Sequence, residues 1–572
     1  MVWLLRQLTD IFAAISGFYY SKKYSVIARY LGLQEREDGL AKRGFIIVQI
    51  DGLPYEYLVE AMDRGYAPYM KVMVEKGDFR LEKWRCGLPS TTPSVQAGIM
   101  YGYNFDIPSY RWYEKETATS MTCNDPRLVK AMQDRVSKGR VGILRGGSSH
   151  VNMMDGDAKL SLFTLGAINS QRFFESVRGL GFLILFLLNP FRSMKIVALS
   201  IWEYLTDLAQ RVASVLSRKR RLPFTSTFPF MRIITNVILR EIQTFAVMVD
   251  IYRGVPAIYT TYTSYDEIAH HFGPRSVPAF RAIRDLDKRI KQIDRLRRLR
   301  LRRSYDLYVL SDHGMTPSIP FSHLYGCMLG EYIARHLGED VRLDEQCGSE
   351  QHSLSRTRLL IEALKDMEDG LSWPMSALVR KARRFVAERA ALDDADEWDL
   401  ARKSDVMVKD SGSMSHVYFN VSPRRMELSE VTALFPNLVK DLVEHEGIGL
   451  VVGREDGEIV VVSSQGMMNI NHDGVRIEGK NPLASLEEPD VMAEQIHYLA
   501  SFPHSGDLIL FGAYDEATGE VVCFENQLGA HGGLSGPQAY PFIIYPQGLG
   551  LTMEGVTNAD QLYRHFIETY FR

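Results

Sequence analysis

Seven residues stand where a chain could do metal chemistry. Asp51 ends the apolar run IIVQIDG, and Thr92 opens a helical segment in PSTTPSVQAG that closes at the Gly102 turn. Asp266 and His270 lie four apart in YTSYDEIAHH, Asp312 and His313 are adjacent in LYVLSDHG, and His531 sits in GAHGG. Three Asp and three His, each ending a strand or opening a helix, are a hard-ligand set suited to two divalent cations. The chemistry such a set supports is phosphoryl transfer. One cation activates a nucleophile and the other stabilises the leaving oxygen.

Each residue also has an ordinary structural reading. Asp51-Gly52 is a common strand-end turn, Asp266 could cap a helix, and Thr-Pro is a frequent helix start, because proline suits the first helical position. Placed just before Pro93, Thr92 reads as an N-cap residue, with the Ser94 and Val95 amides facing its side chain. A helix N-terminus is a ready phosphate site. Thr91 is the alternative nucleophile and His271 the alternative to His270. His416 and His472 read as local polar structure.

In type and order the fragments resemble the alkaline phosphatase superfamily, and within it the type I phosphodiesterase and nucleotide pyrophosphatase branch. The matching segments span about 44–110, 255–320 and 505–547. The resemblance implies that Asp51, Thr92, Asp312 and His313 hold the cation that deprotonates the Thr92 hydroxyl, and that Asp266, His270 and His531 hold the other. It implies two divalent metal ions and a covalent phospho-Thr92 intermediate; the mixed Asp and His donors suit zinc, with manganese or iron as alternatives. One departure concerns specificity. Nucleotide pyrophosphatases carry Asn at the third position after the nucleophile, where this chain has Val95, with Ser94 and Gln96 beside it as substitutes. Nucleotide specificity is therefore not carried over. The Cys-x-Pro-x-Arg sequence of sulfatases is absent.

The elements that must position these residues alternate buried strands and helices. GFIIVQID and YDLYVLSD are continuous apolar runs of the kind found in parallel sheets. The expected fold is α/β, with a mostly parallel central sheet flanked by helices and ligands at the carboxyl ends of its strands. Two interruptions break the pattern: a helical, membrane-associating insertion and a smaller mixed one. The expected organisation is 1–40 amphipathic, membrane-associating helices; 41–139, 251–329 and 501–572 three parts of the catalytic core; 140–250 a helical cap; and 330–500 the second insertion. Helices are expected near 58–76 and 276–301, and the core is expected to close with DLILFGA and PFIIYP.

The 572 residues, 46% hydrophobic and 24% charged, suit a large folded chain, and a net charge of -3 gives no global support to a nucleic-acid partner. Five widely spaced cysteines without CxxC favour a reducing compartment. The N-terminal segment reads as no cleavable signal peptide. The apolar run 179–189, GLGFLILFLLN, is short for a membrane span. Its aromatic and basic flanks, with Trp202 beyond, read as interfacial anchors, against a buried core helix. The sequence therefore points to a phosphodiesterase or phosphotransferase working on a lipid-linked or membrane-adjacent phosphoester, membrane-associated on the cytoplasmic face. The alternatives are a phosphomonoesterase and a non-catalytic membrane scaffold.

Overall fold

The computed structural model describes residues 42–167, 190–216, 228–299, 302–338, 341–346, 404–471 and 474–571, with a few positions between 365 and 384. Residues 1–40 and the apolar run 179–189, both expected to meet a membrane, lie outside the described residues, as does His472.

The central sheet has seven strands. They are β1 (Gly44–Ile50), β2 (Phe79–Lys83), β3 (Ser148–His150), β4 (Leu160–Leu162), β5 (Ala257–Tyr262), β6 (Tyr305–Leu310) and β7 (Phe542–Pro546). Their order is β2-β7-β6-β1-β5-β3-β4. Parallel pairing links β6, β1, β5, β3 and β4, and β7 runs antiparallel to both of its neighbours; β3 and β4 thus put part of 140–250, expected as a helical cap, into the central sheet. Every residue of β1, β5 and β6 is buried, as their unbroken apolar runs require of a sheet covered on both faces. Because β6, β1 and β5 are adjacent and parallel, their carboxyl ends open on one edge. Asp312, Asp51 and Asp266 follow those ends.

The helices used below are α1 (Tyr55–Asp63), α2 (Pro68–Glu75), α3 (Thr92–Tyr101), α4 (Pro190–Leu216), α5 (Arg240–Arg253), α6 (Ser264–Phe272), α7 (Val277–Arg297) and α8 (Asp560–Tyr570). The helix expected near 58–76 is two helices. Gly65 at φ 73° breaks it, and Pro68 starts the second. All ten residues of α3 are buried. Gly98 lets α3 approach the start of α8, where a Cβ would fall 2.8 Å from the Asp560 amide nitrogen. Gly102 ends α3 in the left-handed region, at φ 65°.

A second, eight-stranded sheet lies beside the first. Its order is Leu343–Gln346, Val406–Ser411, Met414–Phe419, Leu508–Gly512, Ile448–Glu455, Glu458–Ser463, Gly466–Asn471 and Gly474–Gly479. The expected closing strand DLILFGA belongs here. Leu508–Gly512 pairs antiparallel with Met414–Phe419 and Ile448–Glu455. Its five residues are all buried, and a short continuous apolar run reads alike in either sheet. Of the two expected closing strands, only PFIIYP joins the central sheet. Among the described residues, no helix is long and apolar enough to cross a membrane.

Candidate active site

The carboxyl edge of the central sheet gathers all seven sequence-selected residues. Thr92 Oγ1 donates to Asp51 Oδ1 at 3.2 Å and lies 3.3 Å from His313 Nε2. His313 Nε2 is 3.8 Å from Asp51 Oδ1 and 3.6 Å from Asp312 Oδ2. Across the cluster, His270 Nε2 is 3.3 Å from Asp266 Oδ2, and His531 Nε2 is 3.9 Å from Asp266 Oδ1. Two ligand groups result, Asp51–Asp312–His313 and Asp266–His270–His531. Within each, the donor atoms lie within 4.8 Å of one another.

Local structure aims each side chain. The four-residue offset in α6 puts Asp266 and His270 on one helical face. Gly52, at φ 71°, turns the chain after Asp51 so tightly that a Cβ would meet Asp266 Oδ1 at 2.5 Å. The Gly52 amide donates to Asp312 Oδ1 at 3.3 Å. Each histidine is fixed through its far nitrogen. His270 Nδ1 donates to the Gly529 carbonyl (2.7 Å), His313 Nδ1 to the Gly314 carbonyl (2.9 Å) and His531 Nδ1 to the Ser90 carbonyl (3.0 Å). That tautomer leaves every Nε2 lone pair facing the cluster, the arrangement of a metal-ligating imidazole.

The donor set fits cations. Asp266 Oδ1 and Asp312 Oδ2 are buried with no hydrogen-bond partner, where buried polar atoms are ordinarily paired. Charge in the cluster is correspondingly perturbed. Burial lifts the Asp312 carboxyl to about 6, against the lowering effect of Asp51 and the Gly52 amide. Burial also works against ionised Asp266, but His270, His531 and His313 outweigh it and hold the carboxyl far below its usual range. Burial lowers His270, yet the facing Asp266 carboxylate lifts it to about 9, so a cation taking the Nε2 lone pair would displace a proton there. His531 is pushed well down by burial and by His313.

The structure separates the alternatives. Thr92 is the first residue of α3, and Thr91, not Thr92, is the N-cap residue. Thr91 is fully buried, and its hydroxyl makes no hydrogen bond to either ligand group. His271 turns toward Arg232 and Arg211, and burial followed by those cations lowers it to about 3. Val95 and Gln96 are both committed to the protein interior. Val95 is fully buried within a large apolar core cluster that also holds Trp84 and Cys86. Gln96 donates to Gln49 Oε1 and Thr261 Oγ1, both at 3.0 Å, and accepts from the Met153 amide. It anchors α3 to β1 and β5 from behind.

Sequence reading missed two supports. Ser90 not only accepts from His531 through its carbonyl. Its hydroxyl accepts from the Gly532 amide (2.9 Å) and donates to the Gly533 carbonyl (3.0 Å). The hairpin Ser411-Gly412-Ser413 of the second sheet presses on His531 from the other side. The Ser413 amide donates to the His531 carbonyl at 3.3 Å. Glu525 Oε2 accepts from the Gly412 amide (2.9 Å), while fully buried Arg111 holds Glu525 Oε1 (2.7 Å) and the Asp410 carbonyl (3.0 Å). No linear signal ties residues 90, 111 and 412 to position 531.

The donor set is of the kind that metal-dependent phosphoester hydrolases use. Residues 197–346 match the family model of the type I phosphodiesterase / nucleotide pyrophosphatase. That segment carries Asp266, His270, Asp312 and His313, while Asp51, Thr92 and His531 lie outside it. No curated protein matches the chain significantly. Among solved structures, the chain is distantly similar to phosphonoacetate hydrolase from Sinorhizobium meliloti 1021 in complex with phosphonoformate, at 17% identity over 93% of this chain and 95% of that chain, TM-score 0.43. Murine ectonucleotide pyrophosphatase / phosphodiesterase 5 in complex with AMP is similar at 11% identity over 93% and 95%, TM-score 0.43. Its human counterpart is similar at 11% over 92% and 95%, TM-score 0.42.

Proposed function

We propose that the protein is a two-metal phosphodiesterase acting through a covalent phospho-Thr92 intermediate. The observation that carries this reading is the position of Thr92 Oγ1, at the start of α3 and within 3.3 Å of both Asp51 and His313. Asp51, Asp312 and His313 would hold one cation with the Thr92 oxygen, and Asp266, His270 and His531 the other. Zinc suits these mixed carboxylate and imidazole donors, with manganese the alternative. When bound, the cations supply charge neutralisation and Lewis acidity.

The chain's own residues divide the rest. The Thr92 hydroxyl gives its proton toward Asp51, and its oxygen attacks phosphorus from the helix N-terminus, where backbone amides favour the incoming anion. The bond from phosphorus to the leaving alkoxide breaks, and the alkoxide departs as the alcohol after taking a proton. Water then attacks phospho-Thr92, releasing a phosphomonoester and restoring the hydroxyl.

The substrate class is a lipid-linked or membrane-adjacent phosphoester, with the protein on the cytoplasmic face of a membrane. Support comes from the apolar sequence 179–189, from the outward apolar face of α4, and from the four described cysteines, which are all buried and free. The test is turnover of bis-nitrophenyl phosphate, nitrophenyl phosphate and a phospholipid panel, before and after chelation and after readdition of zinc or manganese. Diester turnover that is lost on chelation and restored by metal is expected. Turnover indifferent to chelation overturns the two-metal reading.

A further inference from the structure

Helix α4 is amphipathic the wrong way round for a water-soluble surface. A surface helix ordinarily turns its apolar stripe to the core and its charges to water. Here the charges point inward. Lys195 Nζ pairs with Glu241 of α5 at 2.9 Å, and Glu241 is also held by Arg289 of α7 at 2.5 Å. Arg232, itself almost wholly buried, binds Glu203 at 2.6 Å and Asp207 at 3.0 Å. Outward stand Met194, Val197, Ile201, Leu205, Leu208 and Val212, at spacings of three or four. Their exposure runs from 51% at Leu208 to 67% at Met194. Trp202 and Tyr204 border this stripe and are themselves about half exposed. The stripe extends for about 27 Å along the helix. Ion pairs fix the inner face, so the apolar face cannot be buried by rotating the helix without breaking them.

We propose that α4 is an interfacial docking helix whose outer face inserts into the surface of an anionic bilayer. The sequence on either side selects this occupant. Four consecutive cations, Arg218-Lys219-Arg220-Arg221, follow the helix, and the apolar run 179–189 precedes it. Apolar insertion with a basic flank is the combination that binds anionic lipid. Behind this face, the inner side of α4 connects to an element of the site. The Arg232 guanidinium that clamps α4 lies 5.5 Å from the ring of Phe272, the last residue of the helix carrying Asp266 and His270. The choice of a lipid occupant rests on the substrate class proposed above, but its test needs no turnover.

The full chain is sedimented with vesicles of phosphatidylcholine alone and of phosphatidylcholine mixed with phosphatidylglycerol. Wild type should bind the mixed vesicles preferentially, and Ile201→Asp/Leu205→Asp should weaken that binding by about tenfold or more. In a measurement that does not depend on that variant, wild-type tryptophan emission should shift to the blue on adding mixed vesicles, and Trp202→Phe should lose the shift. Failure of wild type to bind overturns the proposal. So does equal binding by the double variant, or a dimer in light scattering that the double variant abolishes without any vesicle binding, which would make a second copy the occupant. Hydrolysis of soluble bis-nitrophenyl phosphate, measured alongside, should be unchanged in the double variant. Vesicle binding without any diester hydrolysis would sink the proposed function and leave the docking helix standing.

Discussion

His313 and His531 stack face to face, with ring centroids 3.9 Å apart and planes inclined by 20°. Each belongs to a different ligand group, so the two groups share a wall of imidazole. Neither can shift without moving the other. The site is therefore one rigid unit, and changes that act on one group should be felt in both.

Thr92→Ala should abolish diester hydrolysis, by roughly 10³-fold or more if a covalent nucleophile is lost. Metal content should be retained, because six other ligands remain. Thr91→Ala should keep turnover near wild type, since the Thr91 hydroxyl reaches neither ligand group. Steady-state rates with metal analysis of both variants check this. Full activity in Thr92→Ala would replace the covalent scheme by direct attack of water.

Gly412→Ala should damage the site from the second sheet. Gly412 sits at φ 64°, and a Cβ there would fall 2.0 Å from the His531 carbonyl oxygen. The hairpin or His531 must give way, and a displacement of about 1 Å can cost about 100-fold in rate. The expected result is a loss of turnover of that order with a lowered metal content. A variant with unchanged turnover would show that the hairpin is not needed to hold His531.

Val95→Asn should not create nucleotide specificity. It would bury an amide among apolar side chains with no partner in view, at a cost of about 1–3 kcal/mol. Denaturant unfolding should register that loss. Gain of nucleotide pyrophosphatase activity in this variant would mean that position 95 does reach the substrate.

His416 sets an acid limit on stability. It is fully buried, its Nδ1 accepts from the Gly506 amide (3.0 Å) and its Nε2 donates to the Pro108 carbonyl (3.1 Å). The bond at Nδ1 needs the neutral ring, whereas Nε2 donates in either state. Burial lowers its pKa from 6.5 to about 3. The unfolded chain therefore takes up a proton below pH 6.5 that the folded chain refuses. The stability is present above 6.5 and is lost as pH falls toward 3, amounting to about 2 kcal/mol by pH 5. Compared with wild type, His416→Gln should lose less stability between pH 7 and pH 5 in thermal unfolding. Parallel curves would remove His416 as the cause.

The site was more legible in the sequence than the frame around it. Asp51, Asp266 and Asp312 each sit at a strand end or helix start that local pattern marks, and parallel strands must bring such ends to one edge. The Asp266–His270 offset could be read directly as one helical face. Sheet membership was less legible, because Leu508–Gly512 is buried on both faces and its composition suits either sheet. The supports at Ser90, Arg111 and Gly412 act through main-chain atoms or a buried ion pair distant in sequence, so nothing local announces them. Helix α4 was visible as an apolar segment with Trp202, but its inward ion pairs to Glu241 and Arg232 exist only in three dimensions.

The three imidazoles take their aim from carbonyls of Gly529, Gly314 and Ser90. A carbonyl belongs to every residue type, so no substitution beside the ligands can delete this outer support directly. Surrounding positions are then free to drift, reshaping what the cleft admits while the donors stay pointed. Such a centre leaves a chain recognisable by a few short islands in otherwise unfamiliar text, and lets one ligand framework be inherited by catalysts of different appetite.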